Sequence, residues 1–212
     1  MIIVTGASKG LGAAICDRLI DKGYSVYGLA RNVSKLKFDG KACDVSSYEQ
    51  VKSIAQILKR NKVEVTGVVN AAGISSMNLA VTTPPNITQK IIQTNLVGTF
   101  NCCNNSIKYL KGGEIINISS INAHLAFPNN PGYVSSKGGV HSLTRSLALD
   151  YSKKKINVNS ISPGYIREGI AKKSFEKEGS NRERLSRMII KRWGKANDLF
   201  GIIDFLISNQ SS

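Results

Sequence analysis

The chain has 212 residues and is 42% hydrophobic, which suits one α/β domain of ordinary core size rather than several large ones. Its longest apolar runs fall far short of the roughly 20 residues a membrane-spanning helix needs, so a membrane partner is excluded. The 29 Lys and Arg outweigh the 14 Asp and Glu to give a net charge of +15, which points to an anionic partner or a solvated basic surface. No basic stretch interleaves aromatic residues as single-strand binders do, so nucleic acid is not expected.

Met1 enters directly into an apolar strand, Met1 to Val4, so no cleavable leader is expected. A turn with Gly6, Gly10 and Gly12 follows, then a helix through Ala13 to Ile20. Glycines at such a turn let backbone approach a phosphate closely, and the helix start offers unpaired N–H groups to an anion; the alternative is a turn that serves packing alone. Tyr24 to Ala30 forms the second strand, ending at Arg31. Asn32 to Lys41 is too short for a full crossover helix. Ala42-Cys43 leads to Asp44-Val45, and Ser46-Ser47 introduce a helix from Tyr48 to Arg60, so Asp44 is either an N-cap, a ligand contact, or both.

Val65 to Val69 is the fourth strand, followed by Asn70, Ala71, Ala72 and Gly73. A long helix begins after Pro84-Pro85 and runs to Tyr109, with Asn95 in its middle, where Asn is a mediocre helix former and the cost suggests a task. The Ile-rich run GGEIINIS is a buried parallel strand that delivers Ser120 at its carboxyl end. From Gly132 to Tyr151, Val134, Val140, Leu143, Leu147 and Leu149 recur at helical spacing. Tyr133 and Lys137 open that helix one turn apart on one face. Asn157 to Ser162 is the sixth strand, and Pro163-Gly164 leaves it.

The pair Tyr133 and Lys137 has a chemical meaning besides the ordinary one of a solvated helix face. A phenol titrates near 10, and a neighbouring ammonium favours its phenolate. Lowering it by three units takes about 4 kcal/mol, more than one ammonium supplies, so a second positive group is needed beside it. His124 and His141 lack Cys or acidic partners at ligand spacing, which leaves surface, packing or, for His124, substrate contact, and no metal site. Cys16, Cys43, Cys102 and Cys103 form no C-x-x-C pair and read as reduced cytoplasmic thiols.

Thr5-Gly6-Ala7-Ser8-Lys9-Gly10-Leu11-Gly12 resembles the TGxxxGxG nucleotide turn of the short-chain dehydrogenase/reductase family, and Asn70-Ala71-Ala72-Gly73 resembles its NNAG motif with the second Asn replaced. Asn95, Ser120, Tyr133 and Lys137 match the family's catalytic tetrad, and Pro163-Gly164 its PG after the sixth strand. Arg192-Trp193-Gly194 and Phe205 to Ser208 echo later segments, so the likeness spans the chain; it is nearest to 3-oxoacyl-carrier-protein-reductase-like members. The resemblance implies an α/β fold with a single doubly wound, Rossmann-like parallel sheet of order 3-2-1-4-5-6. The family's seventh strand would follow Ser208, so with Ser212 the last residue that strand is expected to be missing. One dinucleotide-binding domain over residues 1-212 is implied, with a substrate lid at about 165-195.

The implied activity is reduction of a ketone or aldehyde to an alcohol, or the reverse, with a non-catalytic dinucleotide-binding redox sensor as the alternative. Tyr133 would protonate the carbonyl oxygen, Ser120 would hydrogen-bond it, Lys137 would hold the nicotinamide ribose, and Asn95 would hold a water or else bond backbone. The cofactor would touch Gly6, Ser8, Lys9, Gly10, Leu11, Gly12, Asp44, Val45, Asn70, Ala71, Gly73, Tyr133, Lys137, Pro163, Gly164 and Ile166. An acid at the end of the second strand would select NAD(H). Arg31 stands there instead, with Lys9 nearby, which favours NADP(H). Glu168 occupies the family's usual Thr position, which puts the nicotinamide carboxamide contact in question. A homodimer or homotetramer is implied, and the basic lid, with Lys172, Lys173 and Lys177, suggests an anionic carbonyl substrate.

Overall fold

The computed structural model describes residues 1-208. Six parallel strands, β1 (Ile2–Thr5), β2 (Val26–Ala30), β3 (Gly40–Ala42), β4 (Gly67–Asn70), β5 (Gly113–Ile118) and β6 (Ile156–Ile161), pair in the order β3-β2-β1-β4-β5-β6. β1 and β4 are buried along their whole length, as strands covered on both faces must be. Their side chains alternate between two cores. Ile3, Val68, Ile115 and Val158 face α2 (Tyr48–Arg60), α4 (Gly98–Ile107) and α5 (Pro131–Tyr151) on one side. Ile2, Val4, Val69 and Ile116 face α1 (Gly10–Asp21) and α8 (Phe200–Ile207) on the other. Each fully buried isoleucine contributes about 1.5–3 kcal/mol relative to exposure.

The chain winds outward from β1 to β3, then returns to β4 and winds the other way. The crevice where order reverses, at the carboxyl ends of β1 and β4, is where this architecture takes a ligand. The β2-to-β3 connection is helix-free, as its length predicts, and Leu36 and Phe38 pack onto the sheet in the helix's place. α8 closes the second layer, held to α1 by an Arg18–Asp204 ion pair, with Phe200 beneath the Arg18 guanidinium at 5.5 Å.

Two expectations change. The single helix through Asn95 is three pieces: α3 (Pro85–Ile92), a π-helical turn Gln93–Val97, and α4. In α5, Val140 and Leu147 are buried but Leu149 is 80% exposed. It lies two residues beyond Leu147, a step that turns it about 200° around the helix and off the buried stripe. The short helices α6 (Lys172–Glu176) and α7 (Glu178–Ser186) follow β6. Among the described residues no helix is long and apolar enough to cross a membrane.

Candidate active site

The glycine turn between β1 and α1 is set by two positive φ angles, +70° at Gly6 and +59° at Gly10, a region that costs any side chain strain. A Cβ on Gly12 would stand 2.4 Å from the Gly6 carbonyl oxygen, so the first turn of α1 folds tightly over the loop. Thr5 Oγ1 accepts from the backbone N–H groups of Ala71 and Ala72 at 3.1 Å each, which fixes the loop after β4 beside this turn. The first turn of α1 carries no acidic residue, and its leading N–H groups have no intrahelical acceptors. Lys9 and Arg31 are exposed, Ser8 and Leu11 partly buried. Neither cation has an ion-pair partner among the described residues.

Asp44 has one carboxylate oxygen tied to Ser46, accepting from its backbone N–H at 3.0 Å and its hydroxyl at 2.6 Å. That hydrogen bonding, with help from Arg31 and Lys90, holds its pKa below the usual carboxylate range. The N-cap of α2 is Ser47, which accepts from the Gln50 N–H, so Asp44 stays outside the helix. Val45 is buried. Backbone donors and two cations without an ion-pair partner suit a phosphate-bearing dinucleotide. The turn at Gly169, φ +66°, lies against this cradle: a Cβ on Gly10 would sit 2.6 Å from Gly169 Cα.

Ser120 lies two residues beyond β5 with extended backbone, its Oγ accepting from Asn122 N–H at 3.2 Å. Its own O–H is left to donate. Ser119 Oγ donates to the Lys137 carbonyl at 3.2 Å, binding the strand end to α5. Lys137 is buried, its Nζ donating to the Ile118 carbonyl at 2.6 Å and lying 5.8 Å from the Tyr133 ring centroid. Burial lowers its pKa from 10.5 to about 8. The Tyr133 phenol is shifted upward, chiefly by burial, with the Ser120 hydroxyl opposing. In the free chain the ammonium turns to the Ile118 carbonyl rather than to the phenol oxygen, and burial dominates the phenol. Tyr133 stays protonated.

Asn95 is fully buried at the π turn. Its Oδ1 accepts from Ile74 N–H at 2.8 Å, and its Nδ2 donates to the Ile74 carbonyl at 2.9 Å and Ser136 Oγ at 3.0 Å. Ser136 Oγ donates in turn to the Tyr133 carbonyl at 2.7 Å. Of the two readings for Asn95, backbone bonding is the one these contacts realise. It fixes the loop at Gly73, where an added Cβ would be 3.8 Å from Lys137 Nζ. Asn70, by contrast, turns into the core, donating to Asn117 Oδ1 at 2.9 Å.

The short chain dehydrogenase family model matches residues 1-179. The chain belongs to this family. Carbonyl reductase family member 4 of Xenopus laevis is 31% identical over 218 residues, covering 97% of this chain and 90% of the relative. Among solved structures, 4-hydroxyisoleucine dehydrogenase complexed with NADH is 29% identical with a TM-score of 0.93, covering 99% of this chain and 91% of that one. ElxO with NADP bound is 28% identical with a TM-score of 0.91, covering 98% and 91%. The protein is thus an oxidoreductase whose fold binds a nicotinamide dinucleotide.

In this short-chain dehydrogenase Pro163 and Gly164 lead from β6 to a 165-195 excursion closed at its base. Ile166 bridges Gly194, Gly194 N–H donates to the Tyr165 carbonyl at 2.8 Å, and Arg167 N–H to the Gly194 carbonyl at 3.0 Å. Glu168 Oε1 accepts from Arg167 at 3.2 Å. Lys172, Lys173 and Lys177 face solvent, Lys172 paired with Glu176. Inside stand residues that spacing did not single out: Tyr165 with Phe127 at 5.8 Å and Trp193 at 5.5 Å between ring centroids, and Arg184 over Tyr165. Only the family's RWG segment hinted at Trp193. His124 and His141 stack edge to face at 4.5 Å and bond Ser162 and Ser160, a packing pair at the end of β6.

Proposed function

We propose that the protein is an NADP(H)-preferring oxidoreductase that reduces a ketone or aldehyde to an alcohol, or catalyses the reverse. The observation that carries this is the meeting of a protonated Tyr133, the free O–H of Ser120 and the buried Lys137 at the carboxyl edge of the sheet. When bound, NADPH supplies the hydride. Tyr133 donates its proton to the carbonyl oxygen as negative charge builds there. Ser120 donates a hydrogen bond to the same oxygen. Lys137 offers its ammonium to the nicotinamide ribose hydroxyls and puts a positive potential behind Tyr133. Asn95 and Ser136 keep the Gly73 loop and the Tyr133 backbone in register.

The NADP(H) preference is supported by Arg31 and Lys9, exposed and unpaired beside the cradle, and by the lack of an acid at the end of β2. The relatives include an NADH complex and an NADP complex, so residues of this chain decide the reading. The name carbonyl reductase on the Xenopus relative supports the substrate class. The same reading treats residues 1-212 as one dinucleotide-binding domain with a lid at about 165-195, working in the cytoplasm on a small, anionic carbonyl compound. Exposed Phe100 on α4 and Leu149 on α5 support a homodimer or homotetramer.

Tyr133→Phe tests the mechanism. Removing the proton donor but keeping the ring is expected to lower kcat by about 10²- to 10⁴-fold on a panel of carbonyl compounds followed at the NADPH absorbance band. NADPH affinity by calorimetry stays within about threefold, since no direct phosphate contact is lost. Near-normal turnover in the variant would overturn the assignment.

A further inference from the structure

The arginines around α7 are of two kinds. Arg182 pairs with Glu178 at 2.9 Å and Arg187 with Glu183 at 2.6 Å, both along the solvent face. Arg184 turns inward. Its guanidinium carbon lies 4.9 Å from the Tyr165 ring centroid, and its Nη2 reaches Ser174 Oγ at 3.3 Å and Met77 Sδ at 3.1 Å. It has no carboxylate within 4.0 Å among the described residues. Its Nε is buried with no partner, and so is the hydroxyl oxygen of Tyr165.

Two unspent polar groups, one of them charged, on neighbouring side chains are costly unless something accepts from them. Their place in the fold says what that is. Tyr165 follows Pro163-Gly164 directly, and its ring touches Phe127, six residues ahead of Tyr133 on the chain. The Met77 loop is stitched to the start of α5 by Asn130 Nδ2, which donates to Ser75 Oγ at 3.2 Å. Arg184 therefore roofs the substrate side of the cleft, over a wall that also holds Trp193 and Phe175.

We infer that Arg184 and Tyr165 anchor a carboxylate carried by the substrate, so that the enzyme acts on oxo acids and the matching hydroxy acids. This rests on the carbonyl chemistry proposed above and names its substrate class. A planar guanidinium with one phenol matches a singly charged, planar carboxylate. A phosphate dianion would call for further inward cations, and the neighbouring lysines point elsewhere: Lys172 pairs with Glu176, Lys191 donates to the Ser186 carbonyl, and Lys173 and Lys177 face solvent. The carboxylate is a handle that the reaction leaves unchanged; the carbonyl carbon gains a hydride from NADPH and its oxygen a proton from Tyr133.

Trp193 is the chain's sole tryptophan and stands beside Tyr165, so its fluorescence reports binding without turnover. Acetoacetate, levulinate and benzoylformate are titrated beside their methyl esters. Saturable quenching by at least one acid and by no ester is expected. Arg184→Met raises that acid's Kd and KM by about 10- to 100-fold and leaves kcat and reduction of neutral ketones unchanged. Arg184→Lys, which keeps charge but not the fork, loses part of the affinity, and Tyr165→Phe weakens the acid but not the esters. Equal binding of acids and esters, equal losses on both in Arg184→Met, or competition by inorganic phosphate as strong as by any acid would overturn the anchor. Arg184-dependent acid binding with no reduction of any carbonyl would leave the anchor and remove the proposed reaction. Reduction of neutral ketones with no Arg184-dependent acid binding would do the opposite.

Discussion

Replacing Lys137 by Met separates what the lysine costs from what it does. The side chain is 5% exposed, and its charge is held only by the Ile118 carbonyl. Each pKa unit corresponds to about 1.36 kcal/mol, so a fall from 10.5 to about 8 means that keeping the ammonium inside the fold at pH 7 costs on the order of 3 kcal/mol. Methionine has similar length and no charge, but it forfeits a charge-assisted hydrogen bond worth about 1.5–3 kcal/mol. The free protein should therefore be stabilised by about 1 kcal/mol or somewhat more, a rise in Tm of about 2–4 °C for a chain of this size, while turnover collapses. The pH dependence checks the cause. A lysine with a folded pKa below its unfolded value binds fewer protons folded than unfolded between about 8 and 10.5. Wild-type stability therefore gains with pH in that window, and the penalty is complete below it. The advantage of Lys137→Met should be full at pH 7 and shrink above pH 8, as read by thermal melts at several pH values. A variant less stable than wild type at pH 7, or a gap unchanged to pH 10, would refute the reasoning.

Arg31→Asp sets a carboxylate where the 2′-phosphate is proposed to lie. NADPH affinity should fall by about 10- to 100-fold while NADH affinity changes little, and equal losses by calorimetry would remove Arg31 from phosphate recognition. Glu114 is buried on β5 with one oxygen bonded to Asn157 and the other unpartnered, and burial raises its pKa. Its stabilising protonated form is fully present below the ordinary value of 4.5 and lost as pH rises through the folded one, so Glu114→Gln should raise Tm at pH 8 and not at pH 4; the same gap at both pH values would sink the idea. Asn95→Ala leaves the partly buried N–H and C=O of Ile74 without their partners, a loss of about 1–3 kcal/mol, read as a lower urea midpoint; an unchanged midpoint would mean that the Gly73 loop is held by something else.

The sheet was legible because its strands are short apolar runs between glycine and polar turns, and helix α2 because Val51, Ile54 and Leu58 recur at its period. The glycine turn and the Tyr133–Lys137 spacing carry their own geometry, since one helical turn puts both on one face. The π turn at Asn95 was not legible. One extra residue in a helix leaves no trace in apolar spacing, and the Asn bonds a loop 21 residues earlier. Arg184 was hidden for a related reason: α7 is polar on nearly every side, so no stripe says which side is inward. Leu149 failed in the opposite sense, as an apolar residue in a periodic helix that lies on the side away from the buried stripe.

The charge excess illustrates how a sum over the sequence misleads and a partner list does not. A balance of +15 invites a search for a basic face, and the lid's lysines are the obvious candidates. Yet exposed i,i+4 pairs such as Lys172 with Glu176 are worth well under about 1 kcal/mol and are screened by salt, so they support their own helix without selecting a ligand. On the proposed reading, recognition falls to the cations that lack a counter-charge and line the site, because they gain one when an anion arrives. Arg31 and Lys9 stand so at the cradle and Arg184 so over Tyr165, while Lys137 beside Tyr133 has only the neutral Ile118 carbonyl. On the proposed reading these four cations take a phosphate at one end, a ribose and reacting carbonyl in the middle, and a carboxylate at the other. That ordering makes a salt test decisive: affinity for an acid held at the half-dry Arg184 should fall less with added salt than affinity for the NADPH phosphate held at the exposed Arg31. The reverse order would mean that Arg184 meets its anion in open solvent.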